Sequence, residues 1–132
     1  MKTKKQDLSE IYSRLETVMK KYTPPFTEEG PPMKLGGKNG LNLWTGKPVE
    51  IMGRKYPTLH FAGLIAQSNY VGFYYMPIYC SPVMKKKLKP ELLKLLKGKT
   101  CFHVKALDAK LLAQIKEALD VGKDCYKKMK WL

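Results

Sequence analysis

The chain has 132 residues, of which 44% are hydrophobic and 27% charged, a balance typical of a globular domain. Its 25 basic and 11 acidic residues give a net charge of +14, which favours anionic partners. No apolar run approaches the roughly 18 residues of a membrane span. The three cysteines have no CxxC spacing, so reduced thiols are expected. We therefore predict a single cytoplasmic domain, residues 1–132, with no membrane partner.

The N-terminal part combines one helix with a long connection. Apolar residues recur at helical spacing from about Leu8 to Tyr22, and Asp7 is the expected N-cap. Residues 23–40 are rich in proline and glycine and are predicted to connect the helix to the next element. Phe26, Met33 and Leu35 could pin this connection onto the core.

The segment Pro57–Ile78 predicts a β-hairpin with a two-residue turn at Ser68-Asn69. The implied pairing sets glycine or alanine opposite bulky residues at three positions, as in well-packed cross-strand pairs. Each face of this hairpin is largely apolar. One face carries Leu59, Phe61, Gly63, Ile65, Gly72, Tyr74 and Met76. The other carries His60, Ala62, Leu64, Ala66, Val71, Phe73 and Tyr75.

Further elements complete an α+β fold. Short strands at Leu41–Thr45 and Val49–Met52 are expected to join the hairpin in a four-stranded antiparallel meander. A short helix at Pro90–Leu96, a strand at Thr100–Val104 and a long helix capped by Asp108 should follow. The predicted architecture has two layers: an antiparallel sheet of about five strands with an N-terminal helix and a long C-terminal helix.

Three segments carry a family resemblance. They are LHFAGLIAQSNYVGFYYMPIY from Leu59 to Tyr79, GKTCFHVKALD from Gly98 to Asp108, and the LNLWTGKP turn region. In these segments the chain resembles the YdhG-like family, a group of small bacterial proteins of largely undefined function. The resemblance covers most of 41–132 and implies an antiparallel sheet packed against helices. These are packing motifs, so they point to a fold rather than to an activity.

One branch of that family has been described as a frataxin-like intracellular iron chaperone. The resemblance would therefore imply an iron-chaperone role, which needs clustered carboxylates as hard oxygen ligands. The 11 acidic residues of this chain are scattered, and the nearest approach to a cluster is Glu28-Glu29. The composition therefore argues against this alternative, and no metal or other cofactor is predicted.

Because both hairpin faces are apolar, each must be buried against another element or partner. The terminal helices can cover one; the connection, a second copy of the chain or a small ligand would cover the other. We therefore predict a non-enzymatic binding domain that acts over an aromatic sheet, with either a homodimer or a small ligand as its partner. The predicted contact residues are Trp44, His60, Leu64, Phe73, Tyr74 and Tyr75.

The densest basic segment offers a second candidate site. Lys85, Lys86, Lys87 and Lys89 could bind an anion or nucleic acid, although no nucleic-acid-binding motif accompanies them and a solvated helix face explains them as well. Cys101 and His103 share a strand face, but the further ligands of a metal site are missing. No catalytic motif occurs, so no catalytic residue is assigned.

Overall fold

The computed structural model describes residues 7–30, 40–80 and 82–132, except for the side chains of residues 79, 80 and 82. Met33 and Leu35 lie outside these ranges. The helices are α1 (Leu8–Lys20), α2 (Pro77–Cys80), α3 (Pro82–Lys86), α4 (Pro90–Leu93) and α5 (Ala109–Lys128). The strands are β1 (Leu41–Trp44), β2 (Val49–Ile51), β3 (Arg54–Tyr56), β4 (His60–Ala66), β5 (Val71–Tyr75), β6 (Leu96–Lys97) and β7 (Cys101–Val104).

Five strands form one antiparallel sheet in the order β1-β4-β5-β7-β6. Helix α1 precedes the strands of this sheet in the chain and α5 follows them, and both helices pack against the sheet. The predicted α+β class, with about five strands, an N-terminal helix and a long C-terminal helix, is confirmed. Helix α4 ends earlier than predicted, since Leu96 belongs to β6 and pairs with Phe102 of β7.

The predicted four-stranded meander is wrong. Strand β1 pairs directly with β4, whereas β2 pairs with β3 in a separate two-stranded sheet. Arg54 and Lys55 belong to β3. The turn is Met52-Gly53, and both residues have positive φ, 51° and 79°. Two positive φ angles are the hallmark of a tight two-residue hairpin turn.

The predicted hairpin register is confirmed along β4 and β5. Leu64 lies opposite Phe73, Gly63 opposite Tyr74 and Ile65 opposite Gly72. The amide of Gln67 donates to the carbonyl of Tyr70 across the turn at 2.9 Å. A Cβ on Gly72 would lie only 3.0 Å from Cγ2 of Ile65, so a larger residue there would require the Ile65 side chain to shift.

One irregularity reverses two side chains at the start of β4. Leu43 pairs with Ala62, but Trp44 pairs with His60, so Phe61 is an extra residue in the β1–β4 ladder. The Phe61 ring therefore turns toward the helices, where it stacks on Phe26 with ring centroids 3.9 Å apart. The prediction that Phe61 and His60 follow the regular alternation of the hairpin is wrong, because a bulge resets the alternation.

The helices cover the sheet face that carries Leu64, Phe73 and Phe102. Both long helices have the expected caps: the Asp7 side chain accepts from the Ser9 amide at 3.0 Å, and that of Asp108 accepts from the Leu111 amide at 2.8 Å. Their apolar stripes are buried against this face. The buried helical residues are Ile11, Leu15, Val18, Met19, Leu111, Ile115, Ala118, Leu119, Gly122 and Tyr126.

Candidate functional site

Three of the six predicted contact residues lie in the core. Leu64, Phe73 and Tyr75 have no exposed surface, because α1 and α5 pack over them. The Tyr75 hydroxyl donates a hydrogen bond to the carbonyl of Ala118 in α5. Burial raises the pKa of Tyr75, so the group stays protonated and keeps donating. These residues join the two layers of the fold.

The other three, Trp44, His60 and Tyr74, lie on the opposite sheet face. Trp44 is 7% exposed and His60 is 4% exposed, while Tyr74 is partly buried. The rings of Trp44 and His60 meet edge to face, with centroids 5.0 Å apart. Gly30, in the connection, sits so close to the Trp44 ring that a Cβ there would lie 2.6 Å from it. The six residues therefore do not form one surface.

His60 is a buried and neutral side chain. Its Nε2 lies 2.9 Å from Oδ1 of Asn42, and its Nδ1 has no hydrogen-bond partner in the described part of the chain. Burial lowers the pKa of His60 to about 4, because the charged imidazolium would lose its hydration. The residue therefore contributes packing and one polar contact at neutral pH.

The predicted basic segment is exposed, as a solvated face requires. Lys85 and Lys86 end α3, and Lys87 and Lys89 follow it in the loop before α4. The ammonium group of Lys89 lies 3.6 Å from Oε1 of Glu117 on α5. Among these four lysines, Lys89 is therefore partly neutralised by an acidic neighbour, while the first three extend along one short helix and its end.

A broad apolar opening lies elsewhere, where β4 begins, β5 ends and α5 ends. A groove of about 550 Å³ separates the β2–β3 hairpin from the C-terminal end of α5. Seven of its eight lining residues have mainly apolar side chains. We call this surface the hairpin groove; its lining residues are Glu50, Ile51, Met52, Tyr56, Leu59, Met76, Met129 and Trp131.

The hairpin groove exposes large apolar side chains at its rim. Met52 is 98% exposed, Met129 is 53% exposed and Tyr56 is 37% exposed. The floor is firm by contrast: Trp131 is 4% exposed and packs edge-on against Tyr126 with ring centroids 5.0 Å apart. Flexible, polarisable methionines around a rigid aromatic floor can adapt to apolar ligands of differing shape.

Charge is distributed unevenly around this groove. Glu50 is the single acidic residue among the lining residues. Arg54 lies directly opposite Ile51 in the β2–β3 pair. Because Arg54 and Tyr56 are two residues apart in the same strand, Arg54, Ile51 and Tyr56 share one face. Lys130 follows Met129 with a positive φ of 63° and is exposed. Arg54 and Lys130 are thus neighbours of lining residues, while Glu50 is the charged residue that lines the groove itself.

The groove was not predicted from the sequence, although one signal was present. Met52-Gly53 occupies the two turn positions where asparagine-glycine is the favoured pair. A methionine with φ 51°, almost fully exposed, breaks both the conformational and the hydrophobic expectation for that position. The other half of the site, Met129 and Trp131, lies at or beyond the end of α5, where periodicity gives no guide.

Cys101 and His103 share a sheet face as predicted and are both partly exposed. Within the described ranges, no group of three or more His, Cys, Asp or Glu residues is placed to hold a metal ion.

None of the helices in the described residues combines the length and the apolar character needed to cross a bilayer.

In comparisons with known proteins, no family model, curated protein or solved structure matches this chain. The resemblance to the YdhG-like family thus remains a prediction from the residues that carry it. The functional proposal therefore rests on the geometry of the hairpin groove rather than on a relative.

Proposed function

We propose that the protein is a binding domain that takes a small amphipathic ligand with a negatively charged head in the hairpin groove. The observation that carries this proposal is the exposure of Met52 and Met129 on either side of a concave apolar surface. Exposed apolar surface of this kind, gathered into one depression, is typical of ligand and partner sites. An apolar ligand would remove it from water.

The size and chemistry of the groove support a small ligand. Its volume of about 550 Å³ lies within the range of small-molecule sites, which are mostly apolar with a few polar groups that fix orientation. Arg54 would supply such a group, because its guanidinium can pair with a carboxylate through two parallel hydrogen bonds. An acyl chain on Trp131 with its carboxylate at Arg54 would satisfy both requirements.

The alternative occupant is a second copy of the chain, and the charge opposes it. With a net charge of +14, two copies repel each other, which favours a monomer over a dimer. A negatively charged ligand is attracted by the same field. The proposal therefore assigns the groove to the ligand and leaves the homodimer as an outcome of the test.

Calorimetric titration with three ligands of equal chain length tests the proposal. We expect decanoate to bind more tightly than decanol, and decylamine to bind weakest, because only the first matches both the groove and its rim. Met129→Glu should weaken decanoate at least tenfold, since it places a carboxylate beside the apolar floor. Val83→Glu is the matched control: Val83 is 55% exposed but lies outside the groove.

Arg54→Gln should reduce the preference for decanoate over decanol while leaving decanol affinity unchanged. The proposal is contradicted if none of the ligands binds, or if Val83→Glu weakens decanoate as much as Met129→Glu does. Light scattering that shows a dimer, which Met129→Glu converts to monomer, would assign the groove to a second copy instead.

A further inference from the structure

A second open surface lies on the sheet face opposite α1 and α5. It is formed by the central strand β5 and its neighbour β7, where Gly72 pairs with His103 and Tyr74 pairs with Cys101. The ring of Tyr70 stacks on that of His103, with centroids 3.7 Å apart and planes only 10° from parallel. We call this surface the stacking face; it consists of Tyr70, Gly72, Tyr74, Cys101 and His103.

Unlike Trp44 and His60 on β1 and β4, these side chains reach solvent. Tyr70, Tyr74, Cys101 and His103 are all partly exposed, whereas Gly72 is buried between them. A Cβ at Gly72 would lie 3.3 Å from Cε1 of Tyr74, so glycine leaves the surface low between the two tyrosines. The result is a shallow platform of flat rings.

Two lysines lie beside the platform. The pKa of His103 is lowered first by its partial burial and then by Lys97 and Lys105, so the charged neighbours that affect it are both cations. Lys97 of β6 pairs with Cys101 and therefore projects from the same face. Both lysines are exposed. Flat rings and flanking ammonium groups thus occur together.

We infer that the stacking face binds single-stranded nucleic acid. An unpaired base would stack on the Tyr70–His103 pair or on Tyr74, and Lys97 and Lys105 would contact the phosphates on either side. Stacking on aromatic side chains is tolerant of base identity, and backbone phosphates supply the rest of the affinity. Bases within a duplex are already stacked, so a double strand could use the lysines alone.

This inference is independent of the hairpin groove, which shares no residue with the stacking face. It also differs from a general attraction to the basic surface, because it requires the rings as well as the charge. Lys85 and Lys86 provide the comparison: they are also exposed, but they lie on α3 rather than on the sheet.

Fluorescence anisotropy with a labelled 12-nucleotide oligouridine, at several salt concentrations, tests the inference. Tyr70→Ala and His103→Ala should each weaken binding about tenfold, while Tyr70→Phe, which keeps the ring, should change it less than twofold. The double variant Lys97→Ala/Lys105→Ala should lower the salt slope by about one unit. Lys85→Ala/Lys86→Ala, with the same charge change, should have a smaller effect.

Backbone amide chemical shifts of the wild-type protein provide a readout that no folding defect can obscure. Titration with the oligonucleotide should shift the amides of Tyr70–Tyr74 and Cys101–Lys105 most. The inference is overturned if oligouridine does not bind at low salt, if a duplex of equal length binds as tightly, or if the two double lysine variants lose affinity equally. It is also overturned if the shifts concentrate on α3.

Discussion

The hydroxyl of Tyr126 donates a 2.8 Å hydrogen bond to the backbone carbonyl of His60. Tyr126 lies near the end of α5 and is completely buried, while His60 begins β4. The bond holds the C-terminal helix to the position where the bulge departs from regular strand geometry. The bond gives the buried carbonyl of His60 a hydrogen-bond donor where the strand pairing is irregular.

Tyr126→Phe removes the hydroxyl that donates this bond and keeps the aromatic ring. We expect the free energy of unfolding to fall by about 1–2 kcal/mol, because a buried acceptor loses a donor. Urea denaturation followed by circular dichroism measures the change. Tyr22→Phe is the control: the Tyr22 hydroxyl donates to Asp120 at 2.6 Å, but at an exposed position where water replaces it. A larger loss in Tyr22→Phe would contradict this ranking.

The buried His60 predicts that the protein loses stability in mild acid. Its pKa is lowered to about 4 in the folded protein, whereas an unfolded histidine has a pKa near 6.5. Below pH 6.5 the unfolded chain therefore binds a proton that the folded chain binds only near pH 4. Stability should fall across this interval, by about 3 kcal/mol at its lower end.

The measurement is the unfolding free energy of wild type and His60→Gln at several pH values between 7 and 4. The variant should show a shallower decline, because glutamine does not titrate. His103→Gln should flatten the decline less than His60→Gln does, because the pKa of His103 is also lowered but its side chain is partly exposed. Parallel curves for wild type and His60→Gln would assign the acid sensitivity to another group.

The hairpin could be predicted because its residues specify register by size. Glycine or alanine opposite a large partner fits in only one alignment, and the pairs between β4 and β5 are those of that predicted register. The bulge at Phe61 could not be predicted, because it depends on how β1 pairs with β4. Which side of the sheet His60 faces is a tertiary property, and no local pattern encodes it.

The candidate sites were accessible to prediction to different degrees. The tyrosines of the stacking face and the adjacent Lys97 are visible in the sequence, but only the strand order β5-β7-β6 brings them together. The hairpin groove combines residues more than 70 positions apart, from Met52 to Trp131. Such a site follows from how α5 packs, which amphipathic periodicity gives only as a buried face.

Substitution of Gly122 measures how tightly α5 packs against the sheet. A Cβ there would lie 2.7 Å from the Tyr75 hydroxyl oxygen and 3.0 Å from Cε1 of Phe61. Helix propensity alone would make Gly122→Ala stabilising by about 1 kcal/mol. We expect the opposite, a loss of about 1–3 kcal/mol, because the core must shift to admit the methyl group.

Thermal unfolding of Gly122→Ala measures this balance of propensity and packing. Ala113→Gly, at an exposed position of the same helix, provides the propensity effect without a core contact and should cost about 1 kcal/mol. A Gly122→Ala protein more stable than wild type would show that α5 can move away from the sheet without cost.

Met52 should lower the stability of the β2–β3 hairpin while strengthening ligand binding in the groove. A non-glycine residue at φ 51° is strained, so Met52→Gly or Met52→Asn should stabilise the hairpin by about 0.5–1 kcal/mol. The same variants should bind decanoate more weakly, because they remove an apolar wall of the groove. Calorimetry and thermal unfolding on one set of samples measure both. Loss of stability together with unchanged affinity would contradict a binding role for Met52.

The contact between Thr27 and Trp44 has a consequence for self-association. Strand β1 is at the margin of the five-stranded sheet, and the amide and carbonyl of Trp44 both bond to Thr27, at 2.8 and 2.9 Å. Those backbone groups would otherwise be a template for strand addition by another molecule. The segment that follows α1 thus occupies the backbone groups of Trp44 and hinders β-pairing with another molecule there. The stacking of Phe26 on Phe61 fixes this segment to the core.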